Sequence, residues 1–188
     1  LLSEADILQK KIKSLGKKYK KVAILSHTHG QPASPSTMGK ELINFQKWII
    51  LKIKDLKEIN IKAKFNGATG NYSAHKITYP ERDWPRSIKK YLKSLGLEIN
   101  SHTTQIEPHD YIADICFKIN HLNSILIGFS QDIWSYISKN YFSQKNITGE
   151  IGSSTMPHKI NPINFENAEG NLGTVSYTHL RAHETSQH

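Results

Sequence analysis

Ile112, Ile115, Ile119, Leu122, Leu126, Phe129, Ile133 and Tyr136 recur at alternating steps of three and four residues across seven unbroken intervals. That period is the mark of one buried face on a long α-helix. With Asp110 or a neighbour at its start, a helix of roughly 28 residues rises about 40 Å at about 1.5 Å per residue, more than a small compact domain needs. Such a helix must lie against partners of similar length, and an apolar seam this long also suits a bundle shared between subunits.

The partners are legible in the same chain. From Ala5, the residues Leu8, Ile12, Leu15 and Tyr19 mark a first helix, with lysines crowding its remaining surface. Ser36 or Thr37 can cap a second, whose stripe is Met38, Leu42, Phe45, Ile49, Ile53 and Leu56 and whose end is expected near Lys64. Pro80 and Pro85 bracket an irregular stretch before a short helix that ends near Gly96, and a last helix is expected from about Phe165. Outside the short run Val22 to Leu25 no segment alternates as a strand does, and Ser26 to Pro35 reads as a Gly/Pro-punctuated loop. The predicted fold class is therefore all-α, a long-helix bundle.

Composition narrows the class further. The 188 residues carry a formal charge of +9, which points to anionic partners, either nucleic acid or small polyanions. The lysine-rich first helix lacks interleaved aromatic and arginine residues, so a solvated helix surface is the preferred reading and a nucleic-acid patch the alternative. No apolar run could span a membrane and no export signal opens the sequence, so a soluble, cytoplasmic protein is expected. The single cysteine, Cys116, sits among apolar residues and is expected to be buried and inert. From Thr174 to His188 the apolar stripe does not continue. Residues 1–173 therefore read as the domain proper, and 174–188 as an appendage foreign to it that interrupts a helix just begun. His179 and His183 have helical metal-ligand spacing but no third ligand, and no metal is expected.

Two polar segments can carry chemistry. His27-Thr28-His29-Gly30-Gln31-Pro32-Ala33 gathers two imidazoles, a hydroxyl and an amide beside a glycine and a proline. Histidine suits proton donation to a leaving nitrogen near neutral pH, although taken alone the segment reads equally well as a polar surface loop. Gly149 to Pro162 packs three consecutive hydroxyls, a lysine and an asparagine between glycines and prolines. Its amides and hydroxyls can hold a carboxylate, and its ammonium can stabilise negative charge, including that of an ionised serine. The glycines also fit a lid. A Gly-x-Ser-x-Gly elbow and phosphate-loop spacing are both absent.

The run Gly152-Ser153-Ser154-Thr155-Met156-Pro157-His158-Lys159-Ile160-Asn161-Pro162 resembles the signature loop of the fumarase, aspartase and argininosuccinate lyase superfamily. Thr28 to Ala33 is similar to the histidine loop of several of its members. Gly67-Ala68-Thr69-Gly70-Asn71-Tyr72, Thr103 to Tyr111 and Asn164 to Leu172 resemble the bacterial adenylosuccinate lyase family in particular, so that the likeness covers nearly all of residues 1–173. By motif position it implies Ser153 as general base, His29 as general acid and an anti elimination through a carbanion-like state that releases fumarate. It further implies substrate contacts from Thr28, Gln105, Ser154, Lys159 and Asn161, with bracing of the loop as the competing role for Asn161.

Both family reactions are implied: adenylosuccinate to AMP, and the succinylated imidazole carboxamide ribotide to its amide. Neither needs a cofactor. The family's flanking regions, with a further histidine, phosphate-binding residues and arginines, are not in this sequence, so the fragment is expected to be inactive alone. Family active sites gather loops from three subunits of a homotetramer, which implies that His29 and Ser153 of one site come from different chains. The alternatives are another fumarate-releasing lyase such as argininosuccinate lyase and, in a different class, a basic helical nucleic-acid-binding protein.

Overall fold

A computed structural model describes residues 1–144 and 160–185. In chain order the elements are α1 (Leu2–Lys18), β1 (Ala23–Thr28), β2 (Gln31–Thr37), α2 (Met38–Lys57), β3 (Lys62–Ala63), α3 (Ser73–Thr78), α4 (Trp84–Ser94), β4 (Glu98–Ile99), α5 (Asp110–Ser138) and α6 (Ile163–Thr185). They group into two compact units, Leu1–Leu56 with Phe117–His188, and Lys57–Cys116. The fold is mainly helical, as the periodicity predicts, and none of its described helices is long and apolar enough to cross a membrane.

In the first unit the core joins Ala5 and Ile12 of α1, Ile24 of β1, Met38, Leu42, Ile49 and Ile53 of α2, and Leu122 and Ile133 of α5. The stripe read for α2 is buried nearly as written, and the Thr37 hydroxyl caps the helix by accepting from the Lys40 amide at 3.2 Å. Its end falls at Lys57 rather than near Lys64, because Lys62–Ala63 leave the helical path to pair in parallel with Glu98–Ile99. The α1 stripe also shifts. Leu15 stays 43% exposed, and Gly16 is buried in its place beneath α2. A Cβ on Gly39 would lie 2.3 Å from Lys20 Cα and 2.5 Å from Gly16 O, so backbone meets backbone where α2 begins. Deeper in, polar side chains form a chain: Gln46 donates to Gln9 at 2.9 Å, and Gln9 donates to Asp6 at 2.9 Å. Gln46 and Gln9 are thereby satisfied within a packed interface.

The segment expected as a loop, Ser26 to Pro35, is a β-hairpin. Its prolines hid it: Pro32 and Pro35 cannot donate to a ladder, but each strand of a two-stranded ribbon has an open edge where no donor is needed. The pairing also slips by one residue, with Ala33 and Ser34 opposite Ser26, a bulge that absorbs an unpaired position. Helix α6 starts at Ile163 and does not stop at Gly173, as the broken stripe suggests, but runs to Thr185. Thr174 and Thr178 donate their hydroxyl protons to carbonyls four residues back, and Asn123 donates to the Ser176 hydroxyl at 3.1 Å. Asn120 also donates to the Ser176 carbonyl at 3.4 Å, so the extension is tied to α5.

The second unit packs Tyr72, Ile88 and Leu92 against Ala63, Trp84, Leu97 and Ile99. Asp83 caps α4 by accepting from the Arg86 amide at 3.1 Å, and Pro85 occupies its first turn, where the absent N–H is harmless. The short α3 carries no sequence stripe and has no buried residue. Cys116 is half-buried rather than sealed in a core.

Candidate active site

Thr28 and His29 lie at the tip of the hairpin. The pair Thr28 and Gln31 closes a two-residue turn in which His29 has φ 52° and Gly30 φ 73°. Positive φ at both central positions is the signature of the hairpin turn whose twist suits its strands, normally built from Asn-Gly or Gly-Gly. A non-glycine residue is uncommon in this left-handed region, and the turn it completes places the exposed imidazole of His29 at the apex. A Cβ on Gly30 would meet nothing within 4 Å, so the space beside the tip is open.

The base of the hairpin is firmly held. Met38 N donates to Val22 O at 2.9 Å and Gly39 N to Tyr19 O at 3.1 Å, tying it to the end of α1 and the start of α2. Tyr141 donates its hydroxyl proton to Leu25 O at 3.1 Å, and its ring lies 6.5 Å from that of His27. His27 Nδ1 is 2.9 Å from the same carbonyl, which can only accept, so the proton sits on Nδ1 and a neutral His27 keeps Nε2 as an acceptor. Thus His27 is committed to its own strand while His29 projects from the turn.

Asp132 and Tyr136 of α5 are partly desolvated. Burial, and after it the like charge of Glu41, hold the Asp132 carboxyl above its ordinary value of 3.8, with Lys139 opposing. Burial, reinforced by Asp132, Glu41 and Tyr141, pushes the Tyr136 hydroxyl up to about 12. A raised carboxyl favours the folded state in its protonated form, and that contribution is lost as the pH rises through the folded value. Asp132→Asn is therefore expected to raise the melting temperature at pH 7, the gain closing as the pH falls towards 3.8. Thermal unfolding across that range checks it; a gain independent of pH would contradict a buried charge as the cause.

Gln105 belongs to the second unit, exposed beside a cleft of 310 Å³ lined by Lys64, Phe65, Asn66, Gly67, Ala68 and His75 as well. Lys64 donates to the carbonyls of Gly67 and Thr104 at 2.8 Å each and to that of Gln105, pinning the glycine-rich turn to the segment bearing Gln105. Buried Asn66 pairs its amide with the Thr103 hydroxyl at 2.9 Å, reinforcing the same junction. Gly70 must be glycine, since its φ is +79° and a Cβ would fall 1.8 Å from Thr103 O. Buried Glu107 accepts from Asn100 at 3.0 Å and from the His109 amide at 2.6 Å, which sets the far end of the Gln105 segment. The two sequence motifs in this unit are thus one interlocked scaffold, and sequence spacing alone gave no sign of that pairing. Nor did it single out His75, on the unpatterned α3.

Asn161 is half-buried just ahead of α6, where Ile160 O accepts from Gln144 at 3.1 Å. Ser153, Ser154 and Lys159 lie outside the described residues. Of the expected site residues, Thr28 and His29 share one turn, while Gln105 and Asn161 belong to different units. Among the described residues no group of three or more His, Cys, Asp or Glu side chains could hold a metal ion.

Long helices with a histidine-tipped hairpin define a mainly helical protein that carries an exposed imidazole at the turn of a two-stranded ribbon. Sequence comparison gives that class its place: the chain belongs to the lyase family, whose model matches residues 1–176. It is 58% identical over 159 residues to an adenylosuccinate lyase of Legionella pneumophila (strain Corby), a match covering 85% of this chain and 35% of that protein. The adenylosuccinate lyase of Escherichia coli (strain K12) is 53% identical over 162 residues, 86% of this chain and 36% of the relative. That of Haemophilus influenzae is 50% identical over 182 residues, 96% and 40% respectively. The chain therefore spans little more than a third of the length of these curated relatives, and the resemblance read from its motifs holds at the level of the family.

Proposed function

We propose that the complete protein is an adenylosuccinate lyase. It cleaves a carbon–nitrogen bond by β-elimination, releasing fumarate from adenylosuccinate to leave AMP and from the succinylated imidazole carboxamide ribotide to leave its amide. The observation that carries this reading is the identity of 50–58%, over 85–96% of the chain, to proteins named for that activity. Ser153 removes the proton from the succinyl carbon beside a carboxylate, the C–N bond breaks, and His29 delivers a proton to the departing nitrogen. The exposed apex at His29 supports the acid's role, because it holds the ring clear of the protein's own acceptors. Thr28 stands beside the acid, Gln105 contacts substrate, and Ser154, Lys159 and Asn161 bind the carboxylate whose charge grows in the transition state. A charge of +9 suits substrates bearing a phosphate and two carboxylates.

The working enzyme is a cytoplasmic homotetramer whose sites draw on several subunits. Exposed Trp48 and Leu51 on α2 and Trp134 on α5 support such an assembly, being large apolar groups on helix faces open in the single chain. Residues 1–173 form the central catalytic domain, a reading supported by the family match over residues 1–176. The test is fumarate release, followed in the ultraviolet, by the full-length enzyme. Turnover is expected with adenylosuccinate and none with argininosuccinate, and the reverse preference would overturn the assignment.

A further inference from the structure

The cleft beside Gln105 contains a histidine whose two nitrogens stand in different surroundings. His75 is half-buried, and three rings meet it edge-on: Trp84 at 4.9 Å between centroids, Tyr72 at 5.7 Å and Phe65 at 6.0 Å. This aromatic cage fixes the plane of the imidazole. Its Nδ1 is buried with no hydrogen-bond partner. A proton there would be a buried, unsatisfied donor, whereas a bare lone pair in the same place costs less. The neutral ring therefore carries its proton on Nε2, the nitrogen left to meet an incoming group.

The other polar groups of the cleft are already engaged. Lys64 spends its donors on three carbonyls, and the Asn66 amide is paired with Thr103. Gln105 and His75 remain as the side chains that can donate to an occupant, with the charge of Lys64 close by. Two neutral donors beside a fixed cation suit an oxyanion. We propose that His75 is a substrate-binding residue, donating from Nε2 to a phosphate or carboxylate oxygen of the ligand that Gln105 contacts. This rests on the reading of Gln105 as a substrate contact and adds a second donor to it.

The test uses the full-length enzyme and separates packing from hydrogen bonding. His75→Phe keeps a ring in the cage and removes the donor; His75→Gln can place an amide N–H near the position of Nε2, and His75→Asn near that of Nδ1. The Phe variant is expected to raise KM for adenylosuccinate roughly tenfold with kcat little changed, and Gln, but not Asn, to recover much of the loss. Calorimetric titration with AMP and, separately, with fumarate identifies the oxyanion: weakened AMP binding means the phosphate, weakened fumarate binding a carboxylate. If the Phe variant binds both as the wild type does, or if Asn rescues as well as Gln, the proposal is overturned and the ring serves only its aromatic neighbours. A wild-type enzyme that releases no fumarate from adenylosuccinate would instead refute the proposed function, while titration with inorganic phosphate and fumarate would still decide the role of His75.

Discussion

If the complete protein works as proposed, Ser153→Ala is expected to lower the rate of fumarate release by roughly a thousandfold, the scale of losing a positioned general base, while substrate still binds. The proton to be removed sits on carbon, and an ordinary serine hydroxyl is far too weak a base to take it. The polar run around Ser153 contains what could make it stronger: a second serine, a threonine and Lys159, whose ammonium would favour the alkoxide. Alanine removes the base and leaves those groups to hold the substrate's carboxylate, so the loss should fall on kcat rather than on affinity. Steady-state fumarate release together with equilibrium binding of adenylosuccinate separates the two. Undiminished turnover would remove Ser153 from the mechanism and, with it, the pairing of a serine base with an imidazole acid.

The long helices were legible from their apolar period, although on α5 only Leu122 and Ile133 of the stripe are buried and Ile112 stays 48% exposed. Met38, Leu42, Phe45, Ile49 and Ile53 are buried as their spacing requires, and α5 begins at Asp110, where the pattern can first be capped. What escaped was structure set by pairing rather than period. The hairpin around His29 was masked by two prolines and a one-residue slip, and β3 ended α2 early through a parallel contact with residues 36 positions further on. In the candidate site, His29 could be chosen from its residue type and motif, but its left-handed backbone could not. The partnership of Lys64 with the Thr104 and Gln105 carbonyls joins positions 40 and 41 residues apart, a distance no local pattern reports. His75 was hidden for a related reason: the three rings around it are contributed by separate stretches of chain.

The second large effect is expected at a residue with no chemistry. Gly39→Ala should destabilise the first unit by about 3 kcal/mol, the upper end for forced overpacking. The new methyl would stand 2.3 Å from Lys20 Cα and 2.6 Å from Lys20 N, backbone atoms that cannot rotate away as a side chain can. Relief requires α1 and α2 to separate at the point where the Gly39 amide bonds to Tyr19 O, which is also where the hairpin is rooted. The lesion should therefore reach His29 through the ribbon, lowering activity as well as melting temperature. Gly128→Ala supplies the contrast within α5: the added Cβ would find only Phe45 Cε1, at an ordinary 4.0 Å, and helix propensity favours alanine by about 1 kcal/mol. Thermal unfolding of the two variants should move in opposite directions. Equal, small shifts would mean that the α1–α2 junction yields easily, and that the hairpin's position does not depend on the close approach of Gly16 and Gly39.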